Sequence, residues 1–291
     1  MRKTLFVVIL LLSSMMFIGL NAQEDAQEKT IKRIVTIGRF TNETQYGKGA
    51  FYNRDNDPMR KQCIDLLTAK LAATGKFILV EMEDVSTDSL AGLNGIHADY
   101  VITGSLTQFG RKNEGHERVF TSEKTQTVEA GVSVRMVDVS SRLIVYADEA
   151  KGFAETTTKT TLGIGGTAGF DATLSDKAIS AAMTQLVENI VNKCMDRPWR
   201  GYVIAKDEDT YIITGGQAQG LTQGDQLKVY QKGKTIKNPQ SGMMVELPGK
   251  QIGVVTLLSS TDDLPENQLT FCQYEGSELG EDLTQYYVSD K

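Results

Sequence analysis

The amino-acid sequence predicts an α/β domain, built on a mixed sheet with helices on one face, followed by a small all-β domain that is a barrel or a sandwich. Apolar residues alternate at 32–40 and 98–109, as in half-buried strands, and stretches with helical periodicity follow strands of this kind. Beyond Trp199, short strand patterns alternate with turns rich in Gly, Pro, Asn and Asp. We place the boundary near Arg200, so that residues 23–200 and 201–291 form the two domains.

Residues 1–22 have the composition of a secretory signal peptide. Arg2 and Lys3 precede an apolar run over 5–20, and Ala22 offers a small residue for cleavage. The alternative is an uncleaved anchor, since the run is close to the lower length of a membrane-spanning helix. In both cases the folded part of the chain is exported from the cytoplasm.

The first half of the α/β domain is predicted as strand, helix and strand. The first strand covers 32–40. Asp57-Pro58 begins the helix, because Asp is a favoured N-cap and Pro is favoured at the first helical position. Gly75 provides the C-terminal stop, and the second strand covers 77–82.

Three more strands and a long helix complete this domain. The strands are predicted over 98–109, 128–139 and 143–153. The helix has an apolar stripe over 179–194, with Ser175 as its N-cap. In the second domain, the predicted strands are 201–205, 211–214, 226–230, 251–258 and 269–274.

The three cysteines give two alternatives. Cys63 and Cys194 fall on apolar helix faces, which favours buried free thiols over a disulfide between them. Neither these two nor Cys272 follows the N-terminal apolar run, so we expect no lipid anchor through this signal.

The sequence contains no recognisable catalytic constellation. The glycine cluster at 163–166 has no following Lys and no preceding apolar strand, so it does not form a phosphate-binding loop. His97 and His116 lack the spacing of metal ligands, and no Gly-x-Ser-x-Gly elbow exists. We therefore predict no enzyme activity, no metal and no cofactor. The net charge of -6, without a basic block, argues against nucleic acid as a partner.

Several spaced segments resemble the CsgG family, the curli production assembly and transport proteins. They are RIVTIGRFTNET, CIDLLTAKLAATGKFILVE, ADYVITGSLTQFG, VSVRMVDVSSRLIVYADEAKG and GFDATLSDKAISAAMTQLVENIV. Their order and spacing extend over 32–198. The C-terminal part is similar, more weakly, to the small β domain of flagellar assembly protein T.

The resemblance implies a ring of periplasmic α/β domains, in which each subunit adds two β-hairpins to a shared outer-membrane barrel that passes unfolded curli subunits. It places these hairpins at 110–127 and 155–173. A lipid-facing strand must alternate apolar and polar residues. Both parities of the first segment carry charges, whereas the second alternates cleanly and predicts an amphipathic hairpin at 154–174. The residues expected to face a membrane or a neighbouring subunit are Leu162, Ile164, Ala168, Phe170 and Ala172.

Three functions remain open from the sequence. The first is an oligomeric channel or channel-associated subunit of a curli-type secretion system at the outer membrane. The second is a soluble periplasmic scaffold of an outer-membrane assembly without a pore of its own. The third is an extracytoplasmic enzyme whose site is not recognisable. The first two imply a homo-oligomer with secreted fibre subunits or other envelope proteins as partners, in the periplasmic space, and the first adds contact with the outer membrane.

Overall fold

The computed structural model describes residues 30–46, 57–81, 98–118, 121–161, 171, 173–237, 239–240 and 244–291. Residues 31–291 form one compact unit. The predicted signal peptide and the glycine cluster at 163–166 lie outside the described residues.

A five-stranded mixed sheet forms the first part of the chain. Its strands are β1 (Arg33–Asn42), β2 (Phe77–Val80), β3 (Tyr100–Arg118), β4 (Thr121–Asp138) and β5 (Ile144–Thr161), in the spatial order β2-β1-β3-β4-β5. β1 runs parallel to both of its neighbours, whereas β3, β4 and β5 are antiparallel. The mixed sheet predicted from the sequence is confirmed.

Two helices accompany the sheet, α1 (Pro58–Ala73) and α2 (Thr173–Asp196). The predicted start of α1 is confirmed, because the Asp57 carboxylate accepts hydrogen bonds from the Met59 and Arg60 N–H groups at 2.9 and 3.3 Å. Gly75 follows α1 with φ +65°, a left-handed conformation that suits glycine.

The prediction that Ser175 caps α2 is wrong. The helix begins at Thr173, and Ser175 is a buried residue of its first turn. The Asp171 carboxylate accepts hydrogen bonds from the Thr173 N–H at 2.9 Å and from its hydroxyl at 2.8 Å. An acceptor that precedes the helix satisfies one of its unpaired N–H groups, and Asp171 does this in place of Ser175.

The core of this part lies between the helices and the sheet. Both helices contact the sheet and one another. Gly152 of β5 lets α2 approach closely, since a Cβ atom there would lie 2.0 Å from the Ala178 carbonyl oxygen. Cys63 and Cys194 are fully buried in this core and are free thiols, as is Cys272 elsewhere in the chain, so the free-thiol prediction is confirmed.

A closed six-stranded barrel forms the second part. Its strands, in barrel order, are β11 (Lys250–Ser260), β12 (Leu269–Gly276), β7 (Thr210–Thr214), β6 (Arg200–Asp207), β13 (Tyr286–Ser289) and β8 (Gln226–Gln231). β9 (Thr235–Lys237) and β10 (Met244–Glu246) pair as a separate two-stranded sheet. The barrel, one of the two predicted alternatives, is therefore confirmed, while the exact domain boundary stays a prediction.

The barrel has its own apolar interior. Ile213, Val229 and Val288 are fully buried in it, and Trp199 packs in the same cluster. Ile31, which precedes β1, also belongs to this cluster. The segment before the sheet is thus anchored in the barrel, and the Lys32 N–H donates a 2.8 Å hydrogen bond to the Gln219 carbonyl oxygen.

Candidate functional site

The distal halves of β3, β4 and β5 form a three-stranded antiparallel ribbon, which comprises residues 110–118, 121–129 and 153–161. Its pairing is uninterrupted on both sides of β4. Pairing of β1 with β3 ends at Asn42 and Leu106, so the ribbon continues past the rest of the sheet. With a rise of about 3.4 Å per residue, each strand of the ribbon is roughly 30 Å long.

The open face of the ribbon, on the side away from α2, is polar and charged. Glu123 and Lys159 lie directly opposite one another and form an ion pair at 3.5 Å. Lys112 forms a second ion pair with Glu114, and the hydrogen bond that the Lys112 ammonium donates to that carboxylate raises the Lys112 pKa. The other described residues of this face are Gly110, Thr125, Thr127, Glu129, Phe153, Glu155 and Thr157.

The helix-side face of the ribbon is also polar. It continues the sheet face that α2 covers, and Gln126 is its most buried polar residue, at 1% exposure. The Gln126 Oε1 atom accepts a 2.9 Å hydrogen bond from the Asp171 N–H, which holds the segment before α2 against β4. Further from the helix than Ala154, the other described residues of this face are Asn113, Gly115, Lys124, Thr156 and Thr158.

A compact cluster fixes the base of the ribbon. The rings of Tyr46 and Phe109 lie with centroids 4.4 Å apart, and the Arg111 guanidinium lies 4.3 Å from the Tyr46 ring centroid. Arg111 also donates a 2.9 Å hydrogen bond to the Ser175 hydroxyl in the first turn of α2. Cation–π contacts and contacts between aromatic rings orient side chains. The ribbon therefore leaves the sheet in a defined direction.

Both outer edges of the ribbon are open in the described part of the chain. No described strand pairs with 110–118 on the side away from β4, and none pairs with the outer edge of β5. Unpaired backbone N–H and C=O groups of such edges readily add a further strand. The ribbon thus presents two pairing surfaces.

The predicted site residues fall almost entirely outside the described structure. Leu162, Ile164, Ala168, Phe170 and Ala172 all lie there. The described half of the predicted hairpin, 154–161, is strand β5, which pairs with β4. The period-two pattern agrees with the side-chain exposure as far as Lys159. Ala154, Thr156 and Thr158 are half-buried, while the odd-numbered residues between them are exposed.

Sequence reasoning missed Phe153, the large apolar side chain on the open face. It is 61% exposed and lies opposite Glu129, between Lys151 and Glu155 along its strand. The alternation along the strand could have identified it, because Phe153 occupies an odd-numbered position and therefore points to the face opposite that of Ala154. Exposed aromatic side chains are frequent anchors of protein interfaces.

Within the described residues there is no group of three or more His, Cys, Asp or Glu side chains that could hold a metal ion. The same part of the chain contains no helix that is both long and apolar enough to span a membrane.

Three comparisons place the chain among known proteins. The family model "Curli production assembly/transport component CsgG" matches residues 17–221. The Neisseria meningitidis serogroup B protein "Putative lipoprotein NMB1126/NMB1164" is 28% identical over 188 residues, which are 62% of this chain and 84% of that protein.

Solved structures align with about half of the chain, with low TM-scores. The hypothetical protein CT253 from Chlamydia trachomatis is 12% identical with a TM-score of 0.32, covering 56% of this chain and 96% of that one. Lipoprotein GNA1162 from Neisseria meningitidis is 12% identical with a TM-score of 0.30, covering 57% of this chain and 99% of that one.

Proposed function

Because the chain belongs to the CsgG family of curli production assembly/transport components, we propose that it is an exported, oligomeric assembly subunit that works in water. In this proposal it is a periplasmic scaffold of an outer-membrane assembly, without a pore of its own. A relative whose name describes a lipoprotein supports a location in the cell envelope. The function rests on shape and subunit contact, with no catalysis and no cofactor.

The observation that carries the proposal is the polarity of both faces of the ribbon. Lys124 lies on the helix-side face and Lys159 on the open face, so either face would bring a cation into lipid. A Lys on the lipid face of a transmembrane strand costs about 2–4 kcal/mol at the bilayer midplane. Ion pairs and threonine hydroxyls on the open face instead suit a surface that stays hydrated.

The open edges of the ribbon support an oligomer. If the β3 edge of one copy pairs with the β5 edge of the next, the contact is heterologous, and repetition of such a contact closes a ring when the rotation permits. Phe153 lies on β5 at one of these edges, where it would be covered by a neighbour.

The arrangement of the helices fits the same proposal. α1 and α2 contact one another as well as the sheet, and we propose that both cover one face, as the sequence predicts. The opposite face of the ribbon is then free to meet other proteins. An extended segment of a secreted fibre subunit, or of another envelope protein, would add to an open edge by β-augmentation.

Vesicle flotation tests the scaffold. The chain without residues 1–22 is mixed with vesicles of phosphatidylethanolamine and phosphatidylglycerol and centrifuged through a density gradient. We expect the protein to stay in the bottom fraction, to sediment as an oligomer in a parallel velocity run, and to give no conductance across a planar bilayer. Flotation with the vesicles, together with conductance, contradicts the scaffold.

The channel subunit is the second candidate, and the alternation that continues from Ala154 through Leu162 and Ile164 favours it. Under this candidate, Leu162→Arg abolishes flotation and conductance. The matched control is Thr157→Arg, which places the same charge on the opposite parity of the strand. Under the scaffold proposal, wild type and both variants remain in the bottom fraction.

A further inference from the structure

Two stretches of the chain connect the sheet with the barrel. The first is residues 31–33, which end in the first residue of β1 and which we call the strap. The second is the linker 197–199, between the end of α2 and the first strand of the barrel. Among the described residues, no strand of the sheet pairs with a strand of the barrel. The two connections therefore have a large share in holding the barrel beside the sheet.

The strap is seated in the barrel at its first residue. Ile31 is 4% exposed and packs in the apolar cluster of the barrel, together with Trp199 and Ile213. The next residue is held through its backbone. The Lys32 N–H donates to the Gln219 carbonyl oxygen at 2.8 Å, and the Lys32 carbonyl oxygen accepts from the Gln219 Nε2 atom at 3.1 Å. Release of the strap would break both hydrogen bonds and leave a hole in the barrel core.

Arg33 ties the strap to the linker. Its guanidinium donates hydrogen bonds to the carbonyl oxygens of Ile31 at 2.8 Å and of Arg197 at 2.7 Å. One bond stays within the strap and the other reaches the first residue of the linker, so a single side chain joins the two connections. The Arg33 N–H donates to the Lys76 carbonyl oxygen at 3.2 Å, just before β2, which fixes the sheet end of the strap.

The same arginine also opposes the seated state. Arg33 is 3% exposed, and its Nε atom is buried without a hydrogen-bond partner. No ion pair joins it to a carboxylate in the described part of the chain. A guanidinium keeps its charge, and the burial of an unpaired charge is costly. Burial of Ile31 therefore favours the seated strap, whereas hydration of Arg33 favours its release.

The boundary between the sheet and the barrel is not packed throughout. A cleft of about 580 Å³ lies there, lined by Tyr100 and Asp138 from the sheet and by Tyr202 from the barrel. Close-packed interiors resist displacement, and a cleft of this size interrupts such packing. The barrel can therefore turn relative to the sheet without first breaking a continuous core.

We propose that the strap is a latch for the barrel. While Ile31 is seated, the barrel core is complete and both connections fix the barrel to the sheet. When the strap leaves, the barrel core opens at the place of Ile31, and the barrel moves about the linker 197–199 as a hinge. The opening is local, because the core between the helices and the sheet stays folded. The latch does not depend on how the ribbon acts, so its test is separate from that of the proposed function.

Trp199 reports the opening, because it is the single tryptophan of the chain and is 2% exposed in the cluster that seats Ile31. Acrylamide quenching of its fluorescence is measured on the chain without residues 1–22. Hydrogen exchange, read by mass spectrometry, follows the barrel strands and α2 in the same samples. Ile31→Ala is compared with Ile34→Ala as its matched control. Ile34 lies three positions further along the chain and is 2% exposed, but it is outside the barrel cluster.

Ile31→Ala should raise the quenching rate of Trp199 at least threefold and the exchange of β6, β7 and β8 at least tenfold, while exchange in α2 stays at the wild-type rate. Ile34→Ala should leave Trp199 as protected as in wild type. Ile31→Val leaves a smaller hole and is used in case Ile31→Ala does not fold. It should shift both readings in the same direction by a smaller factor. Unchanged barrel exchange in a folded Ile31 variant, an equal rise in α2 and the barrel, or equal quenching in Ile34→Ala overturns the latch.

Discussion

The barrel and the ribbon are both antiparallel β structure, yet they solve the problem of strand edges in opposite ways. The barrel closes on itself around an apolar interior that includes Ile213 and Val288. Among the described residues, the ribbon has two edges without a paired strand, and it has polar residues on both faces. Closure removes the pairing surface, whereas an open edge preserves it for another chain. Under the scaffold proposal, the barrel supplies stability and the ribbon supplies contact.

Core truncation gives the largest contrast between the two regions. Ile213→Ala should lower the free energy of unfolding by about 3 kcal/mol, because it removes buried methyl groups and leaves a cavity in the barrel. Thr125→Ala on the ribbon should change it by less than about 0.5 kcal/mol, since surface substitutions have small effects. Urea denaturation measures both values. Equal losses of unfolding free energy in the two variants would contradict the assignment of stability to the barrel and of contact to the ribbon.

The end of the sheet that lies next to the barrel gives an effect of intermediate size. Burial alone would raise the pKa of Asp138, but hydrogen bonds from Ser140 and Ser141 and the charge of Arg197 outweigh burial and lower it. Asp138→Asn should therefore cost about 1–2 kcal/mol of stability near neutral pH, the scale of hydrogen bonds to a charged group.

The pH dependence of that loss has a definite sign. A lowered folded pKa stabilises the protein above the unfolded value, near about 4, and the stabilisation disappears as the pH falls through the folded value. Urea midpoints of wild type and Asp138→Asn should differ at pH 7 and converge at acidic pH. A difference that grows on acidification contradicts this assignment.

The sequence predicted the elements that local signals define and missed those that depend on distant pairing. Asp57-Pro58 located the start of α1, because capping acts within one turn. β3 was expected to end at Phe109 but continues to Arg118, since 110–118 has no apolar alternation and is held by its partner strand. β13 was missed, because four residues before the C-terminus carry little periodicity and become a strand by closing the barrel.

The candidate site was predictable only in outline. The resemblance to the family placed the first hairpin where β3 and β4 pair. The alternation of even- and odd-numbered positions gave the exposure of the side chains at 154–159. The sequence could not show that β5 pairs with β4 as far as residue 161, because the register of a strand pair depends on both strands. The clustering of Tyr46 with Arg111 at the base likewise depends on contacts between distant segments.

Phe153→Ala sharpens the comparison through association rather than stability. Phe153 is 61% exposed, so its truncation should leave the unfolding free energy nearly unchanged. It should weaken self-association about tenfold, which corresponds to roughly 1.4 kcal/mol. The matched control is Leu264→Ala, a 63% exposed side chain in the second part of the chain. Sedimentation velocity over a concentration series compares them, and equal weakening by both variants removes the special role of the ribbon.

The Glu123–Lys159 pair should give the smallest effect. The Glu123 and Lys159 side chains are 43% and 72% exposed, and such pairs contribute at most about 1 kcal/mol. Lys159→Gln should lower stability by no more than this, and 1 M salt should abolish the difference. A larger loss that persists in high salt shows that the ribbon depends on its ion pairs for folding, as the barrel depends on its core.

The environment of the ribbon on a membrane tests the account most directly. Thr157→Cys places a thiol for an environment-sensitive fluorophore on the open face of β5. Burial raises the pKa of the three natural thiols to about 12, so labelling near neutral pH is selective for the new one. With lipid vesicles present, the account predicts emission typical of water and full quenching by iodide. Blue-shifted emission with loss of iodide quenching would contradict it, because the ribbon would then lie in the bilayer.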